Sequence, residues 1–178
     1  MRRVRYAVGM SLDGFIADDA GTTGFLVSDA TYDAVPFFSS IDSVIMGRIT
    51  YEAAVRQGMR AYPTLRNFVV SRTLRQEDFP EVTILGQNAE DAIAALRRAG
   101  GKDIWLCGGG VLFRSLLAAR LVDTVELGVS PILLGRPGVP VVACDAPLPA
   151  AVALELTRQR AFPSGLLVLE YAVRDRAV

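Results

Sequence analysis

Apolar residues in this chain fall into short blocks separated by glycine, proline and small polar residues. The first block, Val4–Met10, ends at the turn signal Ser11-Leu-Asp-Gly14 and reads as a strand. Asp18–Ser28 is polar and contains glycine, the composition of a loop. Ala30–Ser40 has a helical pattern that Pro36 shortens or kinks. Ser43–Met46, Asn67–Val70, Val82–Leu85 and Ile104–Cys107 are short continuous apolar runs, as in strands buried on both faces. Helical segments are predicted at Arg48–Gln57, Ala89–Arg98 and Val111–Ala118. Ala89–Arg98 carries the fullest end signals: Asn88 as N-cap, Glu90 and Asp91 in the first turn, and arginines before Gly100-Gly101.

Beyond residue 120 the helical pattern stops. Val122–Val129, Val139–Ala143, Ala151–Arg160 and Leu166–Val173 read as strands, separated by Leu134-Gly-Arg-Pro-Gly138 and Phe162-Pro-Ser-Gly165. Strands alternating with helices, followed by a strand-only tail, predict an α/β fold. Its central sheet is mixed and mostly parallel, with antiparallel C-terminal strands. At 178 residues with no linker-like stretch, one domain spanning 1–178 is expected.

Composition narrows the chemistry. Hydrophobic residues make up 51% of the chain, which argues against disorder. Nineteen basic and nineteen acidic side chains cancel without a basic stripe, so neither nucleic acid nor an anionic membrane is an expected partner. The start, Met1-Arg-Arg-Val-Arg-Tyr6, lacks the apolar run of a signal peptide, and no stretch is long enough to span a bilayer. A soluble cytoplasmic protein acting on a small molecule is expected, and the apolar C-terminal strands allow a homodimer. Histidine is absent, which removes Ser-His and Cys-His catalysis and the commonest metal ligand. Cys107 and Cys144 fit no zinc spacing and read as ordinary buried thiols, so no metal is expected. The remaining chemistry must come from carboxylates, hydroxyls, tyrosines or a cofactor.

The most informative run is Asp103-Ile-Trp-Leu-Cys-Gly-Gly-Gly-Val-Leu-Phe113, a buried strand that passes through three glycines into a helix. It is either a tight turn or a phosphate cradle, where backbone N–H groups at a helix N-terminus meet an anion. It is neither the spaced dinucleotide fingerprint nor a P-loop. Ligands of open α/β sheets collect at the carboxyl ends of parallel strands. Four segments here end strands suitably: Ser11–Gly14, Gly47-Arg48 with Thr50, Ser71-Arg72-Thr73, and Gly108–Gly110. Arg48, Arg72, Ser71 and the glycine amides can together surround several phosphate oxygens.

The matching segments Met10–Ala17, Val44–Glu52, Asn67–Thr73 and Ile104–Gly110, with Leu121–Asp123 and Val129–Gly135, occur in order over residues 4–173. In these the chain resembles the dihydrofolate reductase-like family, especially the branch containing the reductase domain of riboflavin biosynthesis. The resemblance implies a three-layer α/β/α fold and NADPH as hydride donor. It places Gly47, Arg48 and Thr50 on one side of the pyrophosphate, and Gly108, Gly109 and Gly110 with Val111 and Leu112 on the other. Ser71, Arg72 and Thr73 would face the adenosine 2′-phosphate, and Val8, Gly9, Ile16 and Ala17 the nicotinamide. The implied activity is reduction of a small heterocycle, the nearest example being 5-amino-6-(5-phosphoribosylamino)uracil. Folate or pterin reduction is the alternative, and a non-catalytic nucleotide-binding domain on the same fold is a third.

Departures from dihydrofolate reductase concern the substrate side. The folate-clamping arginine falls on Leu65, beside Arg66; the threonine supporting the catalytic acid falls on Gly128. The tyrosine near the nicotinamide falls on Phe113 and the tryptophan before the acid on Phe25. Asp29 and Asp33 lie in the acid's region, and Asp33 is the candidate proton donor, the alternative being a helix-surface carboxylate. Asp13 reads as a turn residue bonding its own backbone. His-x-Glu and Cys-x-x-Cys of the deaminase commonly fused to riboflavin-type reductases are absent, so a standalone reductase is expected. Arg56, Arg60 and Arg66 are candidates for a substrate phosphate.

Overall fold

A computed structural model of the chain describes residues 1–143 and 146–177. Ten strands and four helices follow in order: β1 Val4–Ser11, β2 Phe15–Asp18, α1 Val35–Ser40, β3 Ile41–Gly47, α2 Arg48–Arg56, β4 Arg66–Val70, β5 Thr83–Leu85, α3 Ala89–Arg98, β6 Asp103–Leu106, α4 Gly110–Ala118, β7 Thr124–Ser130, β8 Gly138–Pro140, β9 Val152–Ala161 and β10 Leu167–Ala177. Eight of the strands form one sheet in the order β5-β4-β3-β6-β1-β7-β10-β9; β2 and β8 form a separate two-stranded sheet. Pairing from β5 to β7 is parallel, whereas β10 runs antiparallel to both β7 and β9. The predicted mixed sheet with an antiparallel C-terminal section is present.

Alternation along the central strands sends side chains to two cores. On one face, Val4, Tyr6, Ile45, Ile104 and Leu106 pack with Ile93 of α3 and Leu116 of α4. Tyr6 stacks on Phe113 of α4 with ring centroids 3.6 Å apart. On the other face, Val44, Met46 and Val69 pack with Tyr51 of α2. Continuous apolar strands are therefore sandwiched between helix layers, the arrangement parallel sheets require. No helix among the described residues is long and apolar enough to cross a membrane.

Several local expectations need correction. The helix foreseen over Ala30–Ser40 is confined to six residues, with Pro36 in its first turn. The preceding chain is held in turns because Asp29 Oδ1 accepts the Thr31 N–H at 2.8 Å and Asp33 Oδ1 the Val35 N–H at 2.9 Å. Of Val139–Ala143 only the start is a strand, pairing with β2, for which no element was predicted between the Ser11–Gly14 turn and the Asp18–Ser28 loop. Asn88 does stand at the N-cap of α3, but its side chain makes no capping hydrogen bond. Cys144 lies outside the described residues.

The segment after β8 sets a steric limit on the glycine cluster. A Cβ on Gly110 would lie 2.4 Å from the Pro140 carbonyl oxygen and 2.9 Å from the Ala143 nitrogen. One on Gly47 would meet Leu112 Cβ at 3.9 Å, ordinary contact. Gly110→Ala should therefore destabilise the fold by about 1–3 kcal/mol, the usual cost of overpacking, with Gly47→Ala much milder. Denaturant midpoints measure this; equal midpoints for the two variants would show that the 140–143 segment yields freely.

Candidate functional site

A cleft of about 1820 Å³ runs along the carboxyl ends of the parallel strands and over part of the α1-side face of the sheet. Its position follows from connectivity. β3 and β6 are neighbours, but β3 leads through α2 to β4 on one side, while β6 leads through α4 to β7 on the other. Such a reversal opens a crevice between the two strand ends. The ends are tied by Cys107 N–H donating to Ile45 O at 2.9 Å and Gly47 N–H to Gly108 O at 3.3 Å. Helices α2 and α4 thus begin beside each other, and neither N-terminus has a side-chain cap. Unsatisfied amides and two partial positive charges face one place, a setting suited to an anion.

The sequence-chosen residues around this junction do come together. Gly108 has φ +111°, and a Cβ there would sit 3.8 Å from Val8, 3.9 Å from Ile16 and 3.9 Å from Thr50. The Gly108–Gly109 peptide is cis. Val8, Gly9, Ile16, Ala17, Gly47, Arg48, Thr50, Ser71, Arg72, Thr73, Gly108–Gly110, Val111 and Leu112 all line the cleft. They are not equally available. Gly110 is required by its packing against residues 140–143. Arg48 is already paired with Glu52 at 2.9 Å across one helical turn. Ser71 Oγ accepts N–H groups from Thr73 and Leu74 at 3.2 and 3.0 Å, so its remaining capacity is as a donor. Arg72 is exposed and has no partner among the described residues, which leaves it the free cation at that end.

The carboxylates behave differently from one another. Asp29 accepts from Thr31 and from Ser164 N–H at 2.9 Å, and these bonds hold its carboxyl far below the usual range. It is a fixed anion, not a proton donor at neutral pH. Asp33 is exposed on the cleft; its Oδ1 accepts the Val35 N–H and its Oδ2 makes no hydrogen bond among the described residues. Asp13 was read as bonding its own backbone. Instead it mainly reaches across to Gly135 and Leu134 N–H, at 2.9 and 3.0 Å, and accepts from Ser11. Those bonds push its carboxyl down to about 2. Cys107 is a neutral thiol beside Tyr62, pushed up to about 11 by desolvation.

The other half of the cleft holds residues that sequence reasoning passed over. Arg5 on β1 grips Glu126 of β7 with two 2.7 Å hydrogen bonds, donates to Ser40 at 2.6 Å, and lies 4.7 Å from the centre of the Phe37 ring. Trp105 donates to Ala7 O at 2.9 Å and meets Phe37, Phe38 and Tyr62 edge-on. Glu170, Arg158 and Arg160 complete this side. A signal was present: Arg158 and Arg160 are two residues apart on a strand and so share a face. By contrast Arg56, Arg60 and Arg66, chosen for a substrate phosphate, do not line the cleft. Arg60 is paired with Glu81 at 3.2 Å and Arg66 with Asp42 at 3.5 Å. Phe113 and Leu65 both pack within the hydrophobic cores.

Residues 2–168 match the family described as the RibD C-terminal domain. YyaP of Bacillus subtilis, itself uncharacterized, is 25% identical over 96% of this chain and 94% of its own length. A Shewanella sp. PV-4 protein assigned by name to riboflavin biosynthesis superposes with a TM-score of 0.80 at 25% identity, covering 98% and 99% of the two chains. Dihydrofolate reductase of Enterococcus faecalis, solved with NADP(H), shares the fold with a TM-score of 0.69 at 15% identity over 97% of both chains.

The Asp13 bonds predict a specific acid response. A carboxyl depressed in the folded state stabilises above its unfolded pKa, and that contribution disappears as pH falls through the folded value. The advantage of wild type over Asp13→Asn should thus be constant above about pH 4 and shrink on approach to the folded value of about 2. Chemical denaturation at a series of pH values measures it; an advantage that persists unchanged to the lowest pH would contradict the assignment.

Proposed function

The chain belongs to the RibD C-terminal domain family, and from that premise we propose that it is an NADPH-dependent reductase of a small heterocyclic substrate. The nearest activity is reduction of 5-amino-6-(5-phosphoribosylamino)uracil. The observation that carries this reading is the meeting of two uncapped helix N-termini at Gly47 and Gly109, with Arg72, unpaired among the described residues, at the same end of the cleft.

The residues present fit the cofactor. Amides at the starts of α2 and α4 would hold the pyrophosphate with Thr50, and the absence of a Cβ at Gly108 and Gly109 leaves backbone accessible between them. Arg72, with Thr73 and the Ser71 hydroxyl, would bind the 2′-phosphate; a cation there selects NADP, where NAD sites usually place an acid. Val8, Gly9, Ile16 and Ala17 would seat the nicotinamide beside the apolar end of β1. Bound NADPH supplies the hydride. The substrate ring would then lie against this part of the cleft, beside Leu26, whose side chain covers Gly9, and Leu166, which lies against Gly128.

Reduction of a C=N or C=O bond also needs a proton. Asp29 is excluded by its fixed charge, which leaves Asp33 with one carboxyl oxygen open to the cleft and to water. Asp33 relays a solvent proton to the substrate, while Asp29 holds the loop to Ser164 and keeps Asp33 in place. Folate reduction is the weaker reading, because Leu65 is an uncharged, half-buried side chain packed against the apolar core and Gly128 offers no hydroxyl.

Turnover decides between these readings. The protein should oxidise NADPH in the presence of the ribosylaminopyrimidine phosphate and much more slowly with dihydrofolate; NADPH oxidation with neither would contradict a reductase of this kind. Asp33→Asn should lower kcat by about 100-fold or more, the usual scale of general acid catalysis, with NADPH affinity unchanged. Full activity in that variant would remove Asp33 from the mechanism.

A further inference from the structure

The α1-side face of the sheet carries a row of paired residues running away from the proposed nicotinamide position. Gly9 pairs with Gly128, Gly128 with Val168, and Val168 with Arg160. Residues directly paired across strands project on the same face, and adjacent strands lie about 4.8 Å apart, so the row covers roughly 14 Å. Its first two positions have no side chain and its last is a guanidinium. Leu26 covers Gly9, Leu166 lies against Gly128 and Val168 is buried, so the row leads along an apolar floor to a positive charge.

That charge is held differently from its neighbour Arg5. Arg5 makes short hydrogen bonds from all three of its nitrogens, to Glu126 and Ser40 at 2.6–2.7 Å, as a structural pair. Arg160 Nη2 stands 3.7 Å from Glu170 Oε1, beyond hydrogen-bond distance, and Arg158 Nη1 stands 3.9 Å from the same oxygen. Two guanidinium groups therefore share one carboxylate without a short bond to it. Arg160 Nε is enclosed and makes no hydrogen bond at all. The group is nonetheless fixed in direction, lying 5.6 Å from the Tyr32 ring and 5.7 Å from the Phe162 ring. A positioned, under-bonded guanidinium beside a second one is chemistry that binds an anion.

We propose that Arg160, assisted by Arg158, is a specificity-determining subsite for an anionic arm, phosphate or carboxylate, carried by the heterocyclic substrate. The proposal deepens the reductase reading and rests on it for the placement of the ring. Glu170 acts as the internal competitor that the incoming anion displaces. Specificity then comes from the far edge of the sheet, on β9, and not from the arginines after α2.

Calorimetry with three probes sharing one ring tests this: uridine 5′-monophosphate, uridine-5′-carboxylic acid and uridine, each titrated with and without saturating NADP⁺. At least one anionic probe should bind about tenfold or more tighter than uridine, as charge-assisted bonds to arginine allow; which one does so identifies the arm. Arg160→Gln should abolish that preference while binding NADP⁺ like wild type, and Arg158→Gln should reduce it. Glu170→Gln should increase it, a gain that a merely structural role for these residues would not give. Equal binding of all three probes to wild type, or a preference retained in Arg160→Gln, overturns the subsite. Failure of wild type to bind NADP⁺ while the Arg160-dependent preference persists would overturn the reductase reading and leave the subsite standing.

Discussion

The structure depends on the divergence of two adjacent parallel strands. Backbone hydrogen bonds from Cys107 to Ile45 and from Gly47 to Gly108 hold the ends of β3 and β6 together. Their chains then leave to opposite faces of the sheet as α2 and α4. Two helix N-termini consequently straddle one point with their first amides uncapped. A buried helix end without partners would be costly, and here the ends open into a cleft where water or an anion can satisfy them. The connectivity of the fold thus produces a setting suited to an anion, as two uncapped helix N-termini beside glycine backbone.

Ordering of the other half of the cleft rests on other contacts. The long loop between β2 and α1 has little regular structure, and it is anchored by carboxylates that never protonate near neutrality. Asp29 ties it to the β9–β10 hairpin at Ser164, and Asp13 ties the β1–β2 turn to residues 134 and 135. The Arg5–Glu126 pair locks β1 to β7 and, through Ser40, fixes the end of α1. These bonds position an aromatic wall of Phe37, Phe38 and Trp105 over the open face of the sheet. The charges at the Arg72 end and at the Arg160 end of the cleft are thus held by separate contacts.

Most of the fold was legible because buried parallel strands must be apolar throughout, and the runs at 43–46, 67–70 and 104–107 could be little else. The residues that meet at the strand ends were legible for a related reason: strand ends are where the pattern breaks, and Gly47, Ser71 and Gly108 mark the breaks. What could not be read was the use of each polar group. Arg48 looks as free as Arg72 in the sequence, yet Glu52 lies one helical turn away and takes its charge. Gly110 looks like part of a phosphate loop, yet the chain at 140–143 is what excludes a side chain there. Asp29 and Asp33 differ in that the Thr31 hydroxyl and a hairpin more than 130 residues away both reach the Asp29 carboxylate, and only the first of these is visible in the sequence. Arg160 could be assigned to the cleft only after strand order placed β9 next to β10.

Cofactor affinity in wild type and in Arg72→Ala, followed through quenching of Trp105 fluorescence, tests the central claim most directly. The account predicts saturable binding of NADPH to wild type, clearly tighter than NADH, with Arg72→Ala losing that preference and binding both weakly and alike. Equal affinity of wild type for NADPH and NADH, or no binding of either, would contradict it.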